Sequence, residues 1–172
     1  DQESTSEDIN FCYGLALFGQ VTNNAELARI GQLMLKLDVR AVKTYFLMTN
    51  ASVAQPAQIR PNKVTGIMFD NKIDYATWFS PEKYAIHGIQ MLPISPVTEY
   101  VRSRQFVDEE WTQVLSREPI VVNNELSNTW SSLLYANYAT VNKNLAMAKL
   151  QTAAMDDGLT RAWALYMAAT RA

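Results

Sequence analysis

Ser6-Glu7-Asp8-Ile9-Asn10-Phe11-Cys12-Tyr13-Gly14-Leu15-Ala16-Leu17 carries the pattern that sets the fold class. Within it Ile9, Cys12, Tyr13, Ala16 and Leu17 fall at i, i+3, i+4, i+7 and i+8, which gathers them on one stripe of an α-helix. That helix is expected to start near Ser4 to Ser6 and to end before Asn23-Asn24. A second helix follows over residues 25–46, where Leu27, Ile30, Met34, Leu37, Ala41 and Tyr45 recur at three- and four-residue steps on one face. The two elements read as an αα-hairpin.

Beyond the hairpin, residues 49–62 hold Pro56 and Pro61 among small polar residues and read as an irregular loop. Val64-Thr65-Gly66-Ile67-Met68-Phe69 and Lys72-Ile73-Asp74-Tyr75-Ala76-Thr77-Trp78 are β-prone runs separated by Asp70-Asn71, the composition of a tight hairpin turn. Residues 80–96, punctuated by Pro81, Pro93 and Pro96, are expected to be mostly connection, with Ser95-Pro96 opening a short helix through Arg102. Further helices are expected over residues 105–117, ahead of Pro119, over 128–139, over 143–155, ahead of Asp157-Gly158, and over 160–169. The fold class is therefore mainly α, a succession of helical hairpins with one small β-hairpin, read as a single domain over residues 1–172.

At 172 residues, the chain is long enough to bury about 70% of its unfolded surface. With 48% hydrophobic and 19% charged residues it has the balance of a folded protein and not of a disordered one. Its 15 basic and 17 acidic residues form no block of either sign, which argues against a nucleic-acid partner. No apolar run approaches the ~20 residues of a membrane span. The single cysteine, Cys12, excludes an internal disulfide and a cysteine metal cage, and no nucleotide fingerprint occurs, so no metal or other cofactor is expected. Asn50-Ala51-Ser52 matches a glycosylation sequon, meaningful only on a secreted protein.

Glu3 and Glu7 stand four residues apart. On one helix their β-carbons would lie ~5–6 Å from each other, and two carboxylates that close compete for protonation, a device common at hydrolytic sites. The same letters have a structural reading, because Ser4-x-x-Glu7 is a capping-box pattern and acidic residues suit helix N-termini. The lone histidine, His87, lacks a second histidine with which to build a metal site or triad, and reads first as a hydrogen-bonding residue. Trp111, Trp130 and Trp163 sit at helical spacing and read as core, whereas Trp78, at the end of the expected hairpin, is the candidate wall of a sugar-binding cleft.

Three stretches, in order, resemble glycoside hydrolase family 81. They are Asp1-Gln2-Glu3-Ser4-Thr5-Ser6-Glu7-Asp8-Ile9-Asn10, Asn71-Lys72-Ile73-Asp74-Tyr75-Ala76-Thr77-Trp78-Phe79 and His87-Gly88-Ile89-Gln90-Met91-Leu92-Pro93-Ile94-Ser95-Pro96. The likeness covers the whole chain, more diffusely after Tyr100, and departs from the family at Ser80, where a glycine is expected.

The resemblance implies an endo-β-1,3-glucanase that inverts configuration at the bond it cuts, and a chain that forms part of an (α/α)6 barrel, an α/α toroid. It implies that Glu3 and Glu7 are the active-site glutamates, that β-1,3-glucan is the partner, and that the protein is secreted or associated with the cell wall. Tyr75, Trp78, His87 and Gln90, placed in family-like loops, are the expected substrate-binding residues. The family's general acid is an aspartate in a histidine-rich segment upstream, and no such segment occurs here. An inverting enzyme needs acid and base ~6.5–9.5 Å apart on opposite sides of the scissile bond, so the chain is expected to work with the rest of its parent catalytic domain. The alternative, from a different class, is a noncatalytic helical interaction module in which Glu3 and Glu7 only cap a helix.

Overall fold

The structure, a computed structural model, describes residues 3–69 and 72–171. The first expected helix forms as α1 (Thr5–Val21) and the second as α2 (Ala25–Ala41), which runs on into a π-helical turn (Val42–Phe46). Asn24 caps α2, its side chain accepting a hydrogen bond from the Leu27 amide at 3.0 Å. Ile9, Cys12 and Ala16 of the predicted α1 stripe are buried, while Leu17 is left exposed.

The face of α2 is the reverse of the expected one. Ile30, Met34, Leu37 and Tyr45 point to solvent, and the side against the protein is made of Ala28, Gly31, Val39 and Val42. Backbone proximity explains the choice. A β-carbon on Gly31 would lie 2.4 Å from the Ala16 nitrogen, and one on Gly19 would lie 2.3 Å from that of Ala28. The helices thus meet through small residues, and larger apolar residues have no room between them.

After the π-helical turn the chain pairs back on itself, the Met48 amide donating to the Lys63 carbonyl at 2.7 Å and the Thr65 amide to the Phe46 carbonyl at 3.1 Å. The excursion between holds only a 3-10 turn (Arg60–Asn62), as a proline-broken loop should. The β-hairpin is shorter than its sequence suggests: β1 (Ile67–Phe69) pairs antiparallel with β2 (Lys72–Asp74), Phe69 opposite Lys72. The expected turn at Asp70-Asn71 lies outside the described residues.

A helix that the prolines hid, α3 (Lys83–Gly88), follows, with Ala85, Ile86, His87 and Gly88 all buried. It is too short to show a helical period. The next, α4 (Thr98–Val101), opens just after Ser95-Pro96, and Ser95 ties the turn that leads into it: its amide donates to the Thr98 hydroxyl at 3.0 Å and its hydroxyl accepts from the Val97 amide at 3.3 Å. Ser103 caps α5 (Arg104–Gln113), a 3-10 turn (Leu115–Arg117) continues it, and Pro119 opens α6 (Pro119–Val122).

The chain closes with α7 (Trp130–Tyr138), α8 (Lys143–Leu150) and α9 (Arg161–Thr170). α8 stops short of residue 155 because Arg161 takes the Leu150 and Ala153 carbonyls and the Leu126 carbonyl takes the Ala154 amide. One apolar cluster joins α1, α2, α3 and α5 through Ile9, Val39, Ile86 and Phe106; another joins α5, α7, α8 and α9 through Trp111, Leu134, Ala146 and Ala164. Tyr138 packs against both. Among the described residues no helix is long and apolar enough to cross a membrane.

Candidate active site

The start of α1 is stitched to the segment after α3. Ser4 and Ser6 hydroxyls donate to the Ile89 carbonyl at 3.0 and 3.2 Å, Ser6 also to that of Leu92, and Asn10 reaches the Pro93 carbonyl at 3.2 Å. From the other side, the Trp78 amide donates to Glu3 Oε1 at 3.1 Å. Segments far apart in sequence, 3–10, 75–80 and 87–93, therefore meet at one place.

Glu3 lies outside the helix, one residue before the N-cap Ser4, so the four-residue spacing does not set Glu3 and Glu7 on one helical face. Glu7 is exposed in the first turn of α1. Nor does the Ser4 side chain cap, since its hydroxyl is turned to Ile89. Beside Glu3 the Trp78 ring stands 82% exposed, edge-on to Phe79 at 5.5 Å, and Phe79 stacks on Trp130 at 6.2 Å. A carboxylate half-buried beside an exposed aromatic face can act on a polar group of a ligand whose apolar face rests on the ring.

His87 and Gln90 sit elsewhere. His87 is wholly buried, its Nε2 2.7 Å from the Tyr75 hydroxyl and its Nδ1 2.7 Å from Glu110 Oε1. Glu110, also wholly buried, accepts from Arg102 and, at 3.2 Å, from Asn137, and Arg102 donates to Asn137 Oδ1 at 2.9 Å. Burial pushes the Glu110 carboxyl up, but the Arg102 charge and the bonds and charge of His87 outweigh it and hold the group below the usual carboxylate range. An ionised Glu110 assigns the proton to His87 Nδ1. Tyr75 is held as the neutral phenol, raised first by burial and then by the charges of Glu110 and Glu118, and its hydroxyl is hydrogen-bonded to Nε2.

Gln90 is buried, donating to the Ile86 carbonyl at 3.2 Å and accepting from the Thr5 hydroxyl at 3.3 Å. Expected as substrate contacts, His87 and Gln90 are corrected to interior residues, since protein partners occupy their polar atoms and no sugar in solvent reaches them. Tyr75 is half-buried with its hydroxyl committed inward. Of the four, Trp78 alone presents an open face. Of the tryptophans read as core, Trp111 is buried and stacks on Tyr138 at 3.8 Å, Trp130 is half-buried, and Trp163 is 38% exposed with its indole N–H donating to the Ile94 carbonyl at 2.7 Å.

Glu110, Arg102 and Asn137 escaped the sequence reading. A signal existed, for Glu110 falls on the buried stripe Phe106, Val107, Glu110, Trp111, where a charge must be paired. Among the described residues no group of three or more histidine, cysteine, aspartate or glutamate side chains is placed to hold a metal. The sequon residue Asn50 is exposed, with its Oδ1 accepting from the buried Lys63 at 2.5 Å.

The family model described as "Glycosyl hydrolase family 81 C-terminal domain" matches residues 1–165. A glucan endo-1,3-beta-D-glucosidase from Arthroderma benhamiae is 38% identical, the match covering 98% of this chain and 19% of that protein. A primary septum glucan endo-1,3-beta-D-glucosidase from Schizosaccharomyces pombe is 37% identical over 98% of this chain and 17% of its own length. The chain thus spans about a fifth of the curated relatives it matches. A glycoside hydrolase family 81 structure from Clostridium thermocellum superposes with a TM-score of 0.75 at 20% identity, over 97% of this chain and 23% of that one, and shares the fold.

Proposed function

Since the chain belongs to glycosyl hydrolase family 81, we propose that the protein carrying it hydrolyses internal β-1,3-glucosidic bonds of β-1,3-glucan with inversion, through Glu3 as general base. The observation that carries the assignment is the placement of Glu3 at the meeting of three family-like segments, its Oε1 held by the Trp78 amide beside an open indole face. In this reading the ring supports a glucosyl unit and Glu3 takes a proton from the attacking water. Glu7, exposed in the first turn of α1, orients that water or tunes the charge of Glu3. The general acid is an aspartate contributed by a segment outside these 172 residues, and the helical hairpins form part of an (α/α)6 barrel. The substrate places the protein outside the cell or at the wall, where the sequon at Asn50 has a use.

The test is Glu3→Gln in the full-length protein, assayed on laminarin. Turnover should fall by ~10²–10⁴-fold with little change in KM, since amide and carboxylate have the same shape but only the carboxylate is a base. An initial product of α configuration, read by proton NMR, is expected from inversion. Full turnover by Glu3→Gln, or a β product, removes the assignment.

A second reading, a helical interaction module without catalysis, is favoured by the apolar side chains that α1 and α2 expose, Phe11, Phe18, Leu33 and Leu37 among them. It predicts no laminarin cleavage by the full-length protein at all, and so is separated by the same assay.

A further inference from the structure

The segment that reaches Glu3 is built to hold one amide still. Thr77 is buried, and its hydroxyl closes a small ring with Ser80: Oγ1 accepts from the Ser80 amide at 2.9 Å and donates to the Ser80 carbonyl at 2.9 Å, while the Thr77 amide donates to that same carbonyl at 3.2 Å. The ring encloses Trp78 and Phe79, whose side chains point away from it toward solvent and Trp130. Two residues upstream, the Tyr75 hydroxyl fastens the same segment to the buried His87. A two-residue tip tied at its base in this way has little freedom, and its first amide is the one that donates to Glu3 Oε1.

We propose that Thr77 is a positioning residue for the reaction: by closing the Thr77–Ser80 ring it aims the Trp78 amide at Glu3 and fixes the direction in which the other carboxylate oxygen meets water. The inference rests on the reading of Glu3 as the base. A hydrogen bond to one oxygen orients the plane of the carboxylate, and a base that swings away from its water loses rate without losing substrate, because the indole under the sugar is braced by side-chain packing on Phe79, itself stacked on Trp130, and not by the Thr77 hydroxyl. Thr77 itself is buried, so it acts through Glu3 and not on the sugar.

Thr77→Val keeps the branched shape and removes both hydroxyl bonds, whereas Thr77→Ser keeps the hydroxyl. In the full-length protein, with activity on laminarin normalised to the folded fraction, Thr77→Val should lower kcat by about 10- to 100-fold with KM within about twofold. Thr77→Ser should recover most of the loss. In a Glu3→Gln background Thr77→Val should cost nothing further, since a residue acting only through Glu3 has nothing left to act on. A rise in KM at unchanged kcat, an unchanged kcat, a loss that Thr77→Ser shares, or a loss that multiplies with that of Glu3→Gln overturns the proposal. If Thr77→Val does not fold, Thr77→Ala takes its place under the same expectations. Failure of both to fold also overturns it, for the hydroxyl then serves stability and not aim. Full activity in Glu3→Gln alone would instead sink the base assignment, whatever Thr77 does.

Discussion

In the α1–α2 hairpin the backbones meet at Gly19 and Gly31 while Phe11, Phe18, Leu33 and Leu37 point outward; where α3, α5 and α7 meet, His87, Glu110, Arg102 and Asn137 are sealed inside. Polarity and burial are thus inverted between two parts of one chain. Each inversion has its own physical condition. Polar groups tolerate the interior when every charge is met by a partner, and Glu110 has three. Apolar groups stay outside here because two helices in backbone contact leave no space for them between their axes.

The largest effect should come from breaking the polar interior. Glu110→Gln leaves Arg102 buried beside a neutral amide, and removing one partner of a buried ion pair costs roughly 3–5 kcal/mol. The pH dependence follows from the sign of the shift. The folded-state carboxyl lies below its unfolded value, so its contribution is complete above the ordinary carboxylate pKa of about 4.3 and is lost as pH falls through the folded value. Urea unfolding should therefore show the widest gap between wild type and Glu110→Gln at neutral pH, narrowing below about pH 4. A gap that stays constant with pH would mean the side chain matters through packing alone.

A smaller effect is expected from the hairpin. Gly31→Val forces side-chain atoms into the Ala16 backbone and should cost about 1–3 kcal/mol, or more if the helices cannot slide apart. Gly14 is the control within the same hairpin, because a β-carbon there meets nothing within 4 Å. Gly14→Ala should stabilise the chain by about 0.4–1 kcal/mol in thermal unfolding. Equal losses at both positions would show that close approach at Gly31 does not set the cost.

The same contrast explains what was legible in the sequence. The period of Ile9, Cys12 and Ala16 located α1 and its inner face, because that face is apolar in the ordinary way. On α2 the period located the helix and reversed its face, since Ala28 and Gly31 carry too little hydrophobicity to outweigh Ile30, Met34 and Leu37. Family-like segments contain both Glu3 and Trp78, and the hydrogen bond that joins them appears only in the fold. They did not separate Trp78 from His87 and Gln90, because a motif marks a neighbourhood and burial decides which members face the solvent. Thr77 was silent for another reason: its hydroxyl acts on a backbone three residues away, a contact with no periodic trace.

The smallest effect on stability should come from the outward apolar face, and its consequence should appear elsewhere. Leu33 and Leu37 lie four residues apart on α2, 58% and 59% exposed, and Leu37 shares a groove with Phe11 and Met34. Exposed apolar side chains grouped in this way favour association in water, so the 172-residue chain on its own should sediment as more than a monomer. Changing Leu33 and Leu37 together to Gln removes the most exposed large apolar side chains of α2 without entering the core. Unfolding free energy at low concentration should then shift by no more than about 0.5 kcal/mol, as for other surface substitutions. The sedimentation coefficient should fall to that of a monomer. If the wild-type chain is already monomeric at high concentration, the outward face of α2 is not sticky enough to need a cover. If instead the double variant unfolds several kcal/mol more easily, the two leucines contribute to the fold of the chain itself, and the contrast between an outward apolar hairpin and an inward polar cluster is wrong at its first half.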